Sequence, residues 1–206
     1  MNKNDIEIIN TGIGNIASVA NMIKKAGGNP IICNKPSELS GNSKLLLPGV
    51  GSFDHGMNLL TTQGWIEPLN NLVLNKKVPI LGICLGMQMM LLKSEEGQKN
   101  GLGWIDGEVI KFKRENIGGL KIPHMGWNIV KSLKDNSYID VDNESRFYFV
   151  HSYHVQCNNE HDIMLSCNYG YDFTCAFSHE NIIGAQFHPE KSHKFGIHFF
   201  KKYLEL

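Results

Sequence analysis

Hydrophobic positions along this chain fall into two regimes. From the N-terminus to about residue 90, short continuous apolar runs alternate with segments whose apolar residues recur every three or four positions. Ile6-Glu7-Ile8-Ile9 reads as a strand. Asn15 to Ala26 follows the helical period, with Ile16, Val19, Ala20 and Ile23 at i, i+3, i+4 and i+7, and Gly27-Gly28 stops it. Ile31-Ile32 is a second short strand, and Leu45-Leu46-Leu47 a third that ends at Pro48-Gly49. Helical stretches run to about Asn75, then a buried strand from Val78 to Ile83 and a helix from Met87 to Leu92. Strand–helix alternation of this kind predicts a parallel sheet with helices on both faces.

Beyond residue 100 the helical period fades. Glu108 to Lys113, Trp127 to Lys131, Arg146 to Val150, His154 to Cys157, Ile163 to Cys167, Thr174 to Phe177 and Ile182 to Phe187 read as strands, and His193 to Leu204 as a closing helix. The predicted fold class is α/β: an open, mostly parallel sheet flanked by helices, with added antiparallel strands. No repeat, low-complexity stretch or Pro/Ser-rich linker divides the chain, so one domain over residues 1–206 is expected.

Composition narrows the function classes. Twenty Lys+Arg balance twenty Asp+Glu, which removes the electrostatic case for a nucleic-acid or anionic-membrane partner. Arg114 and Arg146 are the two arginines, too few for a bidentate phosphate cluster. Residues 1–5 lack the apolar core of a signal peptide. The longest apolar run, Val78 to Leu92, is broken by Pro79, Gly82, Gly86 and Gln88 and is too short to span a bilayer. Five cysteines with no Cys-x-x-Cys pair argue against a disulfide framework or zinc ribbon and for a reducing, cytoplasmic setting.

The strongest chemical signal is Gly82-Ile83-Cys84-Leu85-Gly86, placed between a strand and a helix. This is the Gly-x-nucleophile-x-Gly elbow with Cys as nucleophile. Its glycines are expected to permit the sharp turn, and the following helix N-terminus favours thiolate. A base and its orienter stand near the C-terminus: a strand ends at His188, Pro189 stiffens the turn, and Glu190 can hold the His188 imidazole. For the oxyanion of acyl chemistry, one donor is the Leu85 N–H, and a second can come from the Gly49-Val50-Gly51 turn. Gln88, one helical turn beyond Cys84, is expected to bind the polar end of the substrate.

Three other patterns are set aside. Gly12-Ile13-Gly14-Asn15-Ile16-Ala17 fits a loose dinucleotide fingerprint, but about twenty residues on stand Asn34 and Lys35, not a ribose-binding acid. His151-Ser152-Tyr153-His154 lies in a strand pattern, and His188, His193 and His198 lack zinc-helix spacing. No metal and no cofactor are expected.

Together these residues resemble the triad class (class I) of glutamine amidotransferases, whose fold is flavodoxin-like. Pro48 to Phe53, Gly82 to Gln88, Pro123 to Asn128, Phe147 to Tyr153 and Gln186 to Ser192 look like the glutaminase subunit of imidazole glycerol phosphate synthase, in the same order over essentially the whole chain. The resemblance implies that Cys84 attacks the glutamine amide, His188 moves the proton and Glu190 holds His188. Leu85, Val50 and Gly51 would stabilise the oxyanion, and Gly49, Gln88, Ser152 and Tyr153 would bind substrate. It also implies a partner, a (βα)₈-barrel cyclase subunit that receives ammonia in a heterodimer, with Asn15, Trp127, Tyr148 and Lys191 near the interface. Two departures keep a second partner open. Asn10-Thr11-Gly12 replaces the usual Asp-Tyr-Gly, and Gly103 to Asp106, Ser152 to His154 and Ser192 to Gly196 look more like a paralogous branch. That branch supplies ammonia to an ATP-pyrophosphatase-like amidotransferase of bacterial surface-sugar biosynthesis. A non-catalytic regulatory subunit is the reading from another class; silent homologues usually lose the Cys or His that stand here.

Overall fold

The structure, a computed structural model, describes residues 4–134, 138–139 and 144–206. Residues 1–3, part of the 1–5 stretch expected to lack a signal-peptide core, lie outside the described residues. The continuous apolar runs become β1 (Asp5–Ile9), β2 (Asn29–Cys33), β3 (Lys44–Gly49) and β4 (Ile80–Cys84), paired in parallel in the order β2-β1-β3-β4. β3 and β4 are buried at every position, as strands covered on both faces must be. Their side chains alternate between two cores. Leu46, Leu81 and Ile83 join the core under α1 (Ile16–Ala26), while Leu45, Leu47 and Ile80 join the one under α2 (Phe53–Thr62). Asn15 caps α1 by accepting the Ser18 N–H, and Gly27 ends it in the left-handed conformation at φ 97°.

After α2 come α3 (Ile66–Asn70), a π-helical turn (Asn71–Asn75), β4 and the short α4 (Leu85–Met89). The expected helix over 87–92 is therefore displaced: it begins directly after Cys84 and stops at Met89. The stop is tertiary. The N–H groups of Leu102 and Trp104 take the carbonyls of Met89 and Met90 at 2.8 and 2.9 Å, so the chain turns away where a free helix would continue.

The second half supplies β5 (Lys93–Ser94), β6 (Gly107–Lys111), β7 (His124–Ser132), β8 (Ser145–His151), β9 (Tyr153–Cys157), β10 (Ile163–Tyr169), β11 (Tyr171–His179), β12 (Ile182–Ala185) and α5 (His193–Glu205). The sheet order continues from β4 through β12, β11, β10 and β7 to β8, antiparallel from β11 onward, with β5, β6 and β9 as a side ribbon. β12 is the piece that positions the site. It lies parallel to β4, with Gly184 opposite Gly82 and Ala185 opposite Ile83. The segment after β12 therefore emerges beside Cys84, at the carboxyl ends of the parallel strands, where open α/β sheets place their ligand crevices.

Candidate active site

Cys84 ends β4 with φ 54° and ψ −110°, left-handed backbone that a residue with a side chain avoids. The expected role of the flanking glycines is corrected here. Neither takes a positive φ; the strained turn is made by Cys84 itself, and the glycines admit close packing. A Cβ on Gly86 would lie 1.8 Å from the Leu47 carbonyl oxygen, and one on Gly82 would lie 2.7 Å from the Met90 methyl. Helix α4 thus rests directly on the sheet and tips the Cys84 sulfur upward.

His188 follows β12 by three residues. Its N–H donates to the Tyr148 carbonyl at 2.9 Å, and its own carbonyl accepts the Ser192 hydroxyl at 2.7 Å. Its Nδ1 lies 2.8 Å from Glu190 Oε1, and both side chains are buried. Burial works against a charged ring, but the Cys84 sulfur and the Glu190 carboxylate together outweigh it and raise His188 to about 9. Nδ1 is committed to Glu190. Nε2 has no aligned hydrogen-bond partner among the described residues, which leaves it for the Cys84 sulfur and whatever reacts there. A nucleophile, a base and an orienting carboxylate thus meet from two strands about a hundred residues apart in sequence.

A cleft of about 380 Å³ opens above them. Val50, Gly51 and Leu85 line it on one side, and Ser152 and Tyr153 on the other. Gly51 adopts φ 105°, and Leu85, as the first residue of α4, has an N–H with no partner inside the helix. Gly49 sits behind this wall, paired with Cys84 across β3 and β4, where a Cβ would meet the Leu85 Cβ at 3.0 Å. Gln88 lines the cleft, but its amide NH₂ is spent within the protein, on Gln186 Oε1 at 2.9 Å and the Tyr153 carbonyl at 3.2 Å. Only its carbonyl oxygen remains to meet a substrate.

Two residues at this site escaped the sequence reading. Gln186 is fully buried and donates to the Cys84 sulfur at 3.6 Å. Its signal was present: an amide closing an otherwise apolar strand run. Glu96 brings a carboxylate to the cleft, with Oε2 fixed by the Phe53 N–H at 2.8 Å. Nothing in the periodicity of that loop distinguishes it from its neighbour Glu95. Among the described residues, no group of three His, Cys, Asp or Glu is arranged to hold a metal ion.

Three of the four expected interface residues form one patch beside the cleft. Trp127 on β7 pairs across the strands with Tyr148 on β8, and Lys191 lies over the Tyr148 ring at 5.5 Å. Trp127 also stacks on His193, with centroids 5.5 Å apart and planes 3° from parallel. Met125, Trp127 and Ile129 alternate outward along β7 and are exposed. Asn15, exposed on α1, has its side-chain oxygen engaged in capping.

The fold and these residues agree with what the chain is similar to. The glutamine amidotransferase class-I family matches residues 7–205. A Pseudomonas aeruginosa protein named imidazole glycerol phosphate synthase subunit HisH 2 is 46% identical over 202 residues, covering 98% of this chain and 99% of its own. One of the same name from Methanococcus maripaludis is 49% identical over 201 residues, covering 97% and 98%. Among solved structures, PurLQS from Thermotoga maritima superposes with a TM-score of 0.73 at 14% identity, covering 98% of this chain and 97% of that one, a likeness of fold alone. With a strained cysteine elbow, a buried His–Glu pair beside it and near full-length identity of this order, the chain belongs to the class-I glutamine amidotransferases.

Proposed function

We propose that this chain is the glutaminase subunit of an imidazole glycerol phosphate synthase, hydrolysing glutamine to glutamate in the cytoplasm and passing ammonia to a separate synthase subunit. The observation that carries it is the β4–β12 register, which sets Cys84 beside a His188 whose other nitrogen is held by Glu190. The Cys84 sulfur attacks the side-chain amide carbon of glutamine. The N–H groups of Leu85 and of the Val50–Gly51 segment receive the developing oxyanion, each worth about 3 kcal/mol in the transition state. His188 protonates the departing ammonia, and water then cleaves the glutamyl thioester with His188 as base. Glu96 is the carboxylate placed to take the α-ammonium, and the Ser152–Tyr153 wall meets the remaining polar groups.

The partner reading rests on the patch around Trp127 and Tyr148. It combines an apolar strip with the Lys191 cation at the rim of the cleft, where ammonia leaves. A (βα)₈-barrel cyclase is the partner that fits, in a heterodimer. The test is to tag the Cys84→Ala protein, recover it from its native lysate and identify its companion by mass spectrometry. A barrel cyclase of about 250 residues is expected. An ATP-pyrophosphatase-like amidotransferase instead would move the chain to surface-sugar biosynthesis with its chemistry unchanged. Loss of glutamine hydrolysis in the reconstituted pair on Cys84→Ala tests the glutaminase itself; full partner activation with glutamine as nitrogen source would make the chain a silent subunit.

A further inference from the structure

Two buried histidines play no part in the chemistry above, yet they connect to it. His124 on β7 and His151 on β8 are direct cross-strand partners, and their rings meet at 3.0 Å, Nδ1 to Nε2. The proton on each nitrogen follows from one fixed acceptor. The Tyr153 carbonyl can only accept, so His151 Nδ1, 2.8 Å away, carries a hydrogen. Burial, with His124 adding to it, holds the His151 pKa well below its ordinary value. The ring is neutral, its Nε2 is bare, and the donor to it is His124 Nδ1. Burial lowers His124 to about 4, so that ring is neutral too, and its Nε2 accepts from Asn128 Nδ2 at 3.2 Å.

The same carbonyl sets the other direction. It lies 3.2 Å from the Gln88 amide, which must therefore present NH₂. That NH₂ also faces the Gln186 amide at 2.9 Å, so Gln186 must present oxygen to it and NH₂ to the Cys84 sulfur. Were either amide reversed, the Gln186 group facing the sulfur would be a carbonyl oxygen, which has no hydrogen to donate to it. The titratable groups packed around the two rings are Tyr169 of β10, stacked on His124 with centroids 4.1 Å apart, His154 of β9, bonded to the Tyr171 hydroxyl of β11 at 2.7 Å, and His188.

We propose that His124 and His151 are positioning residues for the nucleophile: they pin the Tyr153 carbonyl, the shared acceptor on which donors from Asn128, His124 and His151 converge on one side and the Gln88 amide, linked through Gln186 to the Cys84 sulfur, on the other. The glutaminase reading supplies its purpose, and the chain of bonds stands without it. Its far end is on the strand whose outer face carries Met125, Trp127 and Ile129, so a displacement of β7 alters the support of the cleft wall.

Two measurements on the full chain decide this, and neither uses glutamine, so failure of the glutaminase reading would leave both results intact. Nitrogen-15 NMR of the histidine rings should find His124 and His151 neutral from pH 5.5 to 8, both as Nδ1–H tautomers. An Nε2–H tautomer on either ring, or titration near its ordinary value, overturns the proposal without any variant. The second is the rate of Cys84 alkylation by iodoacetamide at pH 7. Cys84 lines the cleft, whereas the other four thiols do not, and burial first of all pushes Cys33 up to about 11, Cys157 and Cys167 up to about 12 and Cys175 well up, so they stay silent. Gln186→Leu should slow alkylation about 3- to 10-fold through loss of the donor to sulfur. His124→Phe keeps the ring stacked on Phe149 and Tyr169 and should slow it about 2- to 4-fold, with His124→Asn, which retains a donor near the Nδ1 position, recovering most of the rate. An unchanged rate in His124→Phe, in protein that melts like the parent, would overturn it.

Discussion

At the residue scale, the site is a set of local strains and charges that make sense only together. Cys84 holds φ 54° with a full side chain, a conformation costing about 1–3 kcal/mol in a non-glycine residue. Cys84→Gly should therefore raise thermal stability by about 1 kcal/mol while abolishing glutamine hydrolysis, read by calorimetry and ammonia release. His188 gives the pH dependence. In the proposed mechanism its protonated ring is the acid for the leaving ammonia, and it holds that proton up to about 9. Glutaminase activity should accordingly fall as pH rises through about 9. Glu190→Gln removes one of the two groups that hold the proton, so the alkaline limb should move to lower pH and kcat should drop on the order of 10²–10⁴-fold. An unmoved limb would take His188 out of the acid role.

At the element scale, the closest tolerance is between α4 and the sheet. Gly86→Ala would drive a methyl into the Leu47 carbonyl, a backbone atom that cannot step aside. A loss of about 3 kcal/mol or more is expected in a denaturant melt. Elements were legible in the sequence where burial follows one rule along a segment. The helix from Asn15 and the buried run at Leu45–Leu47 are examples, because cap, period and stop signals agree there. The end of α4 was not legible. Its carbonyls are claimed by Leu102 and Trp104, partners that no local pattern announces. That Cys84, His188 and Glu190 come together was legible, because the motifs that carry them place particular residue types beside particular turns. Gln186 and Glu96 were not legible, because an amide or a carboxylate gains its role from what the fold sets against it. The patch on β7 belongs to this scale also. Trp127→Ala should weaken partner binding by about 2 kcal/mol in a titration, with little change in the melting of the isolated chain.

At the scale of the whole molecule, opposed histidine shifts set a stability maximum. Burial holds His124 and His154 near 4 and His151 well below its ordinary value, so the folded chain refuses protons that the unfolded chain binds at about 6.5. Unfolding then takes up protons below that pH, and stability falls as the solution becomes acid. His188 acts oppositely. Its raised value adds stability that is complete below about 6.5 and is lost as pH rises through about 9. Melting temperature should peak near pH 6.5, with up to three protons taken up on unfolding at about pH 5. Among the described residues, no helix is long and apolar enough to cross a membrane.

The place of β12 has a bearing on how this chain is made. It lies between β4 and β11, yet it comes from residues 182–185, about a hundred residues after β4 in the chain. Until that segment leaves the ribosome, β4 has one open edge and the growing polypeptide has a cysteine but no base. A ribosome stalled after Asn181 would hold a chain unable to close its sheet and unable to break down glutamine. A nascent chain therefore carries Cys84 for about a hundred residues of synthesis before His188 exists to pair with it.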